Sequence, residues 1–201
     1  NGSHRSRCDF CLYRERPNIR RHHIAIQYDA IVIGTGQSGP LLADRMDSEG
    51  LKVAVIEGHL YGGTCVNVGC IPTKTLVASA RAAYMARRGA EFGVVIDGPI
   101  RVDMVAITAR KDAVVEQSNS SVTGWLKGLE NAILYSGHDR FEGPNRVRVD
   151  DTLLEAERIF FNVGARAFVP DIPGLDGVEY LTNSSIMEVD FLPEHLIFPS
   201  T

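Results

Sequence analysis

The chain has 201 residues, 44% of them hydrophobic, and a net charge of −4, enough to bury a core in one or two domains and without the basic excess that would suggest nucleic acid or a membrane surface. No apolar run nears the roughly 20 residues of a membrane span, and no signal peptide with an apolar h-region opens the sequence. Four cysteines, two of them in a tight pair, fit a reducing cytoplasm better than a disulfide scaffold.

Residues 1–27 hold six arginines and three histidines against two acids and follow no helix or strand period. Cys8-Asp9-Phe10-Cys11 is a C-x-x-C with His4, His22 and His23 nearby. No second ligand pair stands at zinc-finger spacing, so the segment reads as a disordered basic extension and no metal site is expected.

Residues 28–33 form a short, apolar, β-rich run that reads as a buried strand. It leads directly into Gly34-Thr35-Gly36-Gln37-Ser38-Gly39. Leu41, Leu42 and Met46 then fall on one face of a helix ending at Gly50. Residues 51–56 make a second strand, closed by Glu57. Strand, glycine turn, helix, strand and acid in this order are the dinucleotide fingerprint in its proper context. Gly34 permits the tight turn, Gly36 lets a pyrophosphate approach the backbone, and Gly39 allows close helix–strand packing. The helix N-terminus offers unpaired N–H groups to phosphate, and Glu57 is placed to accept hydrogen bonds from ribose hydroxyls.

Cys65 and Cys70 follow, within Gly62-Gly63-Thr64-Cys65-Val66-Asn67-Val68-Gly69-Cys70-Ile71-Pro72-Thr73-Lys74. A loop this short stabilises a protein little through chain entropy, which favours a redox role over a structural staple. Positions i and i+5 of an ideal helix diverge by about 140°, too far for a disulfide. The backbone must therefore bend between the sulfurs, with Gly62, Gly63 and Gly69 supplying the freedom. Pro72 suits the first turn of a helix beginning near Ile71.

Residues 75–88 are Ala-rich and helix-forming, and Gly89 and Gly93 interrupt them. Residues 102–129 read as a longer helix with Met104, Ile107, Val114 and Val122 buried and Trp125 as a core anchor. From Ala132 the pattern turns to β. Strands are expected at 133–135, 147–149, 153–156 and 158–163, with turns at Gly143-Pro144 and Asp150-Asp151, and Gly164 closing the last.

The thirteen residues 62–74 resemble the redox-active site of the class I pyridine nucleotide-disulfide oxidoreductases, which include dihydrolipoamide dehydrogenase, glutathione reductase and mercuric reductase. The resemblance extends over 28–197. The wording of 87–94, 141–144 and 181–185 leans towards mercuric reductase-like members. It implies an α/β, Rossmann-like FAD-binding domain of the glutathione reductase type over 28–166. Residues 167–201 would be a connector and the first strand, near 192–197, of a nicotinamide domain. No second G-x-G-x-x-G occurs in the sequence, so the chain is expected to be an N-terminal fragment, truncated before the NAD(P)H site.

In the resembled family the first fingerprint binds FAD. Gly34, Gly36, Gly39, Glu57, Gly63, Thr64, Gly137, His138 and Gly164 are the implied cofactor-binding residues. Cys70 would face the flavin as the thiolate and Cys65 would be the exposed interchange thiol. Lys74, one turn along, would favour the thiolate. Asn162-Val163-Gly164 stands where the family carries Ala-Thr-Gly, which puts the contact of the usual threonine in doubt. The implied activity passes electrons from NAD(P)H through FAD to the Cys65–Cys70 disulfide, and on to a small-molecule disulfide or a metal ion. Full-length members are homodimers, a contact this chain is not expected to form. The alternative readings are a stand-alone FAD-binding module and an inactive truncation.

Overall fold

The computed structural model describes residues 24–198. The readings made on His4, Cys8, Cys11, His22 and His23 lie outside the described residues. Strand β1 (Ile26–Ile33) pairs in parallel with β2 (Val53–Glu57), and β2 with β3 (Ala132–Ser136). Two further strands, β4 (Asp139–Gly143) and β5 (Arg146–Val149), form an antiparallel meander with β6 (Thr152–Phe161), which returns in parallel alongside β1. The resulting order is β3-β2-β1-β6-β5-β4. Helix α1 (Gly39–Ser48) connects β1 to β2, and α2 (Gly63–Asn67), α3 (Cys70–Arg87) and α4 (Met104–Lys127) lie between β2 and β3. This is the mixed α/β, Rossmann-like arrangement that the sequence pattern predicts.

The apolar run of β1 follows from burial on both sides. Alternate residues of a strand point to opposite faces, and a strand covered on both faces needs no polar alternation. Ile31 and Ile33 join Ala54, Ile56, Val147, Val149 and Leu154 in one cluster. Val32 joins Val53, Val55, Ala43 and Leu126 in the other, under α1 and α4. Ile31 is fully buried, and truncating such a side chain to alanine costs about 2–5 kcal/mol. The C-terminal ends of β1 and β2 are thereby fixed beside each other, where the glycine turn and Glu57 begin.

Helix phase corrects two expectations. Leu41 is 62% exposed, because the inward stripe of α1 runs through Gly39, Ala43 and the half-buried Leu42 and Met46. Trp125 is likewise exposed, its indole N–H donating to Asp44 Oδ1 at 3.0 Å. Leu126 is the core anchor, since it shares a face with Val122 and Leu129 at helical spacing. Met104, Ile107, Val114 and Val122 are half-buried rather than buried. α4 starts where Asp103 caps the Ala106 N–H at 3.0 Å.

The β region also differs in detail. The expected strands at 153–156 and 158–163 are one continuous strand, β6. Its charged middle is compatible with pairing because Glu155 meets Arg146 at 3.0 Å and Gln27 at 3.3 Å across neighbouring strands. β4 is an additional edge strand. Its charged surface, with Glu142 held by Arg148, hides the strand pattern and suits an edge. Residues 192–197 form no strand: all described strands belong to the single sheet, which that segment does not join. The segment before it is tied to α4 instead, through the buried Lys111, whose ammonium donates to the Met187 carbonyl at 2.7 Å.

Candidate functional site

The glycine turn is held from two sides. Gly34 takes φ +94°, and a Cβ there would lie 2.3 Å from the Asn162 carbonyl oxygen, so neither conformation nor space admits a side chain. A Cβ on Gly39 would lie 2.2 Å from the Gly34 carbonyl oxygen, which is what brings α1 close to β1. Between them Thr35 is fully buried. Its N–H donates to Glu57 Oε2 at 3.0 Å, its hydroxyl donates to the same oxygen, and the Gly62 N–H donates back to the hydroxyl at 3.2 Å. The other carboxylate oxygen of Glu57 accepts the His59 N–H at 2.9 Å. Glu57 thus orders the turn itself. Of the roughly four lone-pair sites of a carboxylate, one remains, at Oε1.

On the other side of the turn lies Asn162, half-buried just after β6. With its carboxamide oriented to satisfy both ends, the oxygen accepts the N–H groups of Gly36 at 3.1 Å and Gly39 at 2.9 Å. Its nitrogen donates to Ser38 Oγ at 3.0 Å.

The dithiol is built by a broken helix. α2 carries Cys65 at its centre and α3 starts with Cys70. The break is at Gly69, with φ −129° and ψ −112°, where a Cβ would lie 2.8 Å from the Thr64 carbonyl oxygen. Asn67, between the cysteines, donates to the carbonyls of Tyr61 and Gly63, both at 2.9 Å. Asn119 of α4 donates to the Tyr61 carbonyl at 2.6 Å and to Asn67 Oδ1 at 3.0 Å. The Tyr61 hydroxyl meets Ser136 Oγ at 2.9 Å.

Both cysteines are free thiols, Cys65 half-buried and Cys70 exposed. Cys65 lies on α2, which the Asn67–Asn119 pair holds, and Cys70 stands at the start of α3. A hydrogen bond with Cys70, aided by partial burial, pushes the Cys65 thiol above its ordinary value, and the Lys74 ammonium opposes that shift. Lys74 itself is exposed and makes no hydrogen bond or ion pair among the described residues.

Turn and dithiol share one cleft of about 530 Å³. Gly34, Gly36, Glu57, Gly63, Thr64, Cys65, Cys70, His138 and Gly164 all line it, a size ordinary for cofactor pockets. Three anticipated site residues are not on its wall. Gly39 is buried beneath Asn162, Gly137 gives its N–H to the Glu57 carbonyl at 2.9 Å, and Lys74 is exposed outside the lining. His138 stands over Gly58, where a Cβ would be 3.1 Å from its Nδ1. Thr35 and Asn67 stand inside the two motifs without a role of their own in the sequence reading, and Asn119 belongs to neither, yet the three carry much of the geometry. Only the departure of Asn162 from the expected alanine marked its position. Among the described residues no three His, Cys, Asp or Glu side chains gather as metal ligands, and no helix is long and apolar enough to cross a membrane.

Residues 28–198 match the family profile described as pyridine nucleotide-disulphide oxidoreductase. The chain is 35% identical over 150 residues to the dihydrolipoyl dehydrogenase of Acholeplasma laidlawii, covering 74% of this chain and 44% of that one. It is also 35% identical over 172 residues to the mercuric reductase of Bacillus cereus, covering 84% of this chain and 27% of that one. Among solved structures it resembles the HOCl-induced flavoprotein disulfide reductase RclA from Escherichia coli. There the TM-score is 0.70 and the identity 32%, over 83% of this chain and 35% of that one. The chain therefore spans less than half the length of these relatives.

Proposed function

The chain belongs to the pyridine nucleotide-disulphide oxidoreductase family, and on that premise we propose that it supplies the FAD-binding turn and the redox dithiol of a flavin-dependent reductase acting on a small disulfide or a metal ion. One observation carries this reading: the dinucleotide turn and the dithiol open into the same cleft, with Gly63 of the dithiol segment packed on Gly36 of the turn.

The residues present suit an FAD. Thr35, Glu57 and Asn162 fix the turn by side-chain hydrogen bonds. Side chains at Gly34, Gly39 and Gly63 would collide with backbone atoms. The remaining Oε1 site of Glu57 is an acceptor for a ribose hydroxyl. His138 stands at the same end of the cleft, and Gly164 closes it beside Asn162. A flavin bound there supplies the two electrons that open the Cys65–Cys70 disulfide.

The chain's own residues then do the following. The S–S bond breaks, each sulfur gains one electron, and Cys65 takes up a proton from solvent, held there by its hydrogen bond with Cys70. Loss of that proton makes Cys65 the nucleophile that attacks a substrate disulfide, with the substrate's second sulfur leaving as a thiol. Cys70 then attacks the Cys65 sulfur of the resulting mixed disulfide, breaks its bond to the substrate's first sulfur, which leaves as the second thiol, and restores the Cys65–Cys70 disulfide. For a metal ion the two thiolates are ligands instead. The sequence has no second G-x-G-x-x-G turn, so NAD(P)H would deliver its electrons from a site outside these residues.

Reductive titration of the FAD-loaded protein with dithionite tests the proposal. The oxidised protein is expected to take up four electrons per flavin, and the Cys65→Ser and Cys70→Ser variants two. Uptake of two electrons by all three proteins would mean that the dithiol does not exchange electrons with the flavin.

A further inference from the structure

Asn162 makes contacts with the glycine turn at three positions. Its carboxamide oxygen takes the N–H groups of Gly36 and Gly39, and its nitrogen donates to Ser38 Oγ. Its own N–H donates to the Ile33 carbonyl at 2.7 Å, so the residue is fixed to the end of β1 while its side chain reaches over the turn. The two amides it satisfies flank those of Gln37 and Ser38. Among the described residues, no protein acceptor takes the N–H of Gln37 or Ser38. Pro40 brings no N–H to the start of α1, and the first intrahelical bond runs from Leu42 to the Ser38 carbonyl at 3.0 Å.

Resting on the FAD reading above, we infer that Asn162 is a positioning residue for the dinucleotide pyrophosphate. It locks the turn through Gly36 and Gly39 and leaves the N–H groups of Gln37 and Ser38 to the phosphate oxygens. An unclamped turn would have to be ordered at the moment of binding, and that cost appears directly in affinity. Thr35, bonded to Glu57, holds the opposite side of the same turn. The departure from alanine at position 162 thus adds a side-chain clamp to the fingerprint.

The test compares the whole chain with Asn162→Ala by two readouts. Amide hydrogen exchange of the flavin-free protein is expected to show Gly36 and Gly39 protected in the parent and unprotected in the variant, with β1 and β6 unchanged. FAD titration is expected to show binding weakened on the order of tenfold, equivalent to about 1.4 kcal/mol. Asn162→Asp, which keeps the acceptor oxygen, is expected to retain protection at Gly36 and Gly39. Unchanged or tighter FAD binding by Asn162→Ala, with protection lost only at those two amides, would overturn the inference and leave the FAD reading standing. Loss of protection throughout β1 and β6 would overturn it by making Asn162 a residue of the core fold. Failure of both proteins to bind FAD would overturn the FAD reading and the inference with it.

Discussion

Gly63 packs on Gly36 so closely that a Cβ on Gly63 would lie 2.8 Å from the Gly36 Cα. This contact seats the dithiol segment on the dinucleotide turn and joins two glycines that stand 27 positions apart in the sequence. A Gly63→Ala substitution meets both that backbone and a φ of +60°. The expected outcome is a loss of about 1–3 kcal/mol in chemical denaturation from conformational strain alone, together with much weaker FAD binding. Gly93→Ala is the control, with φ +73° and no neighbour within 4 Å. It should show the strain and retain FAD affinity.

Cys65 should alkylate as a thiol of raised pKa. Its pH profile with iodoacetamide is expected to have a midpoint above that of an unperturbed cysteine, because the hydrogen bond with Cys70 stabilises the protonated form. In Cys70→Ala that bond is gone, so the midpoint should fall and the neutral-pH rate should rise. Lys74→Gln should move the midpoint further up, since the ammonium favours the Cys65 thiolate. A downward shift in Lys74→Gln would contradict this placement of the charge.

Glu57 has a role in the protein without any nucleotide. Glu57→Ala leaves the N–H and hydroxyl of the buried Thr35 without their acceptor, and each buried donor left unpaired costs about 1–3 kcal/mol, whereas the exposed His59 N–H turns to water. Glu57→Gln keeps one acceptor oxygen and should lose less. Thermal denaturation of the flavin-free variants reads the difference. Equal melting temperatures for Glu57→Ala and the parent would confine Glu57 to ribose binding.

Asn119 positions the thiols from α4. Asn119→Ala leaves the Tyr61 carbonyl to Asn67 alone and removes the donor to Asn67 Oδ1, so the segment between the cysteines loses a support. Closure of the Cys65–Cys70 disulfide by a small oxidant should slow by roughly tenfold or more, because intramolecular rates depend on fixed geometry. An unchanged closure rate would show that Asn67 alone suffices.

Local order made part of this architecture legible in the sequence. The strand, turn, helix and strand around residues 28–57 are contiguous, and Cys65 and Cys70 carry their own glycines, so the chemistry and its scaffold are written in one short stretch. Helix phase was harder to read: Leu41 and Trp125 are large and apolar, but only the packing of α1 and α4 on the sheet decides which stripe turns inward. β4 and the middle of β6 were hidden by charges whose partners, Arg148 and Arg146, lie on neighbouring strands. Thr35 and Asn119 act across 22 and 58 positions respectively, on Glu57 and Tyr61. The fingerprint spans Gly34 to Glu57 but assigns Thr35 no role, and no motif links Asn119 to Tyr61, so only the folded chain shows these contacts.

The absorption spectrum of the purified protein, with and without added FAD, tests the central claim most directly. The account predicts flavin bands that remain with the protein after gel filtration, persist after two electrons, which pass to the dithiol, and are bleached only on four-electron reduction. A folded protein that stays colourless after incubation with excess FAD would contradict it.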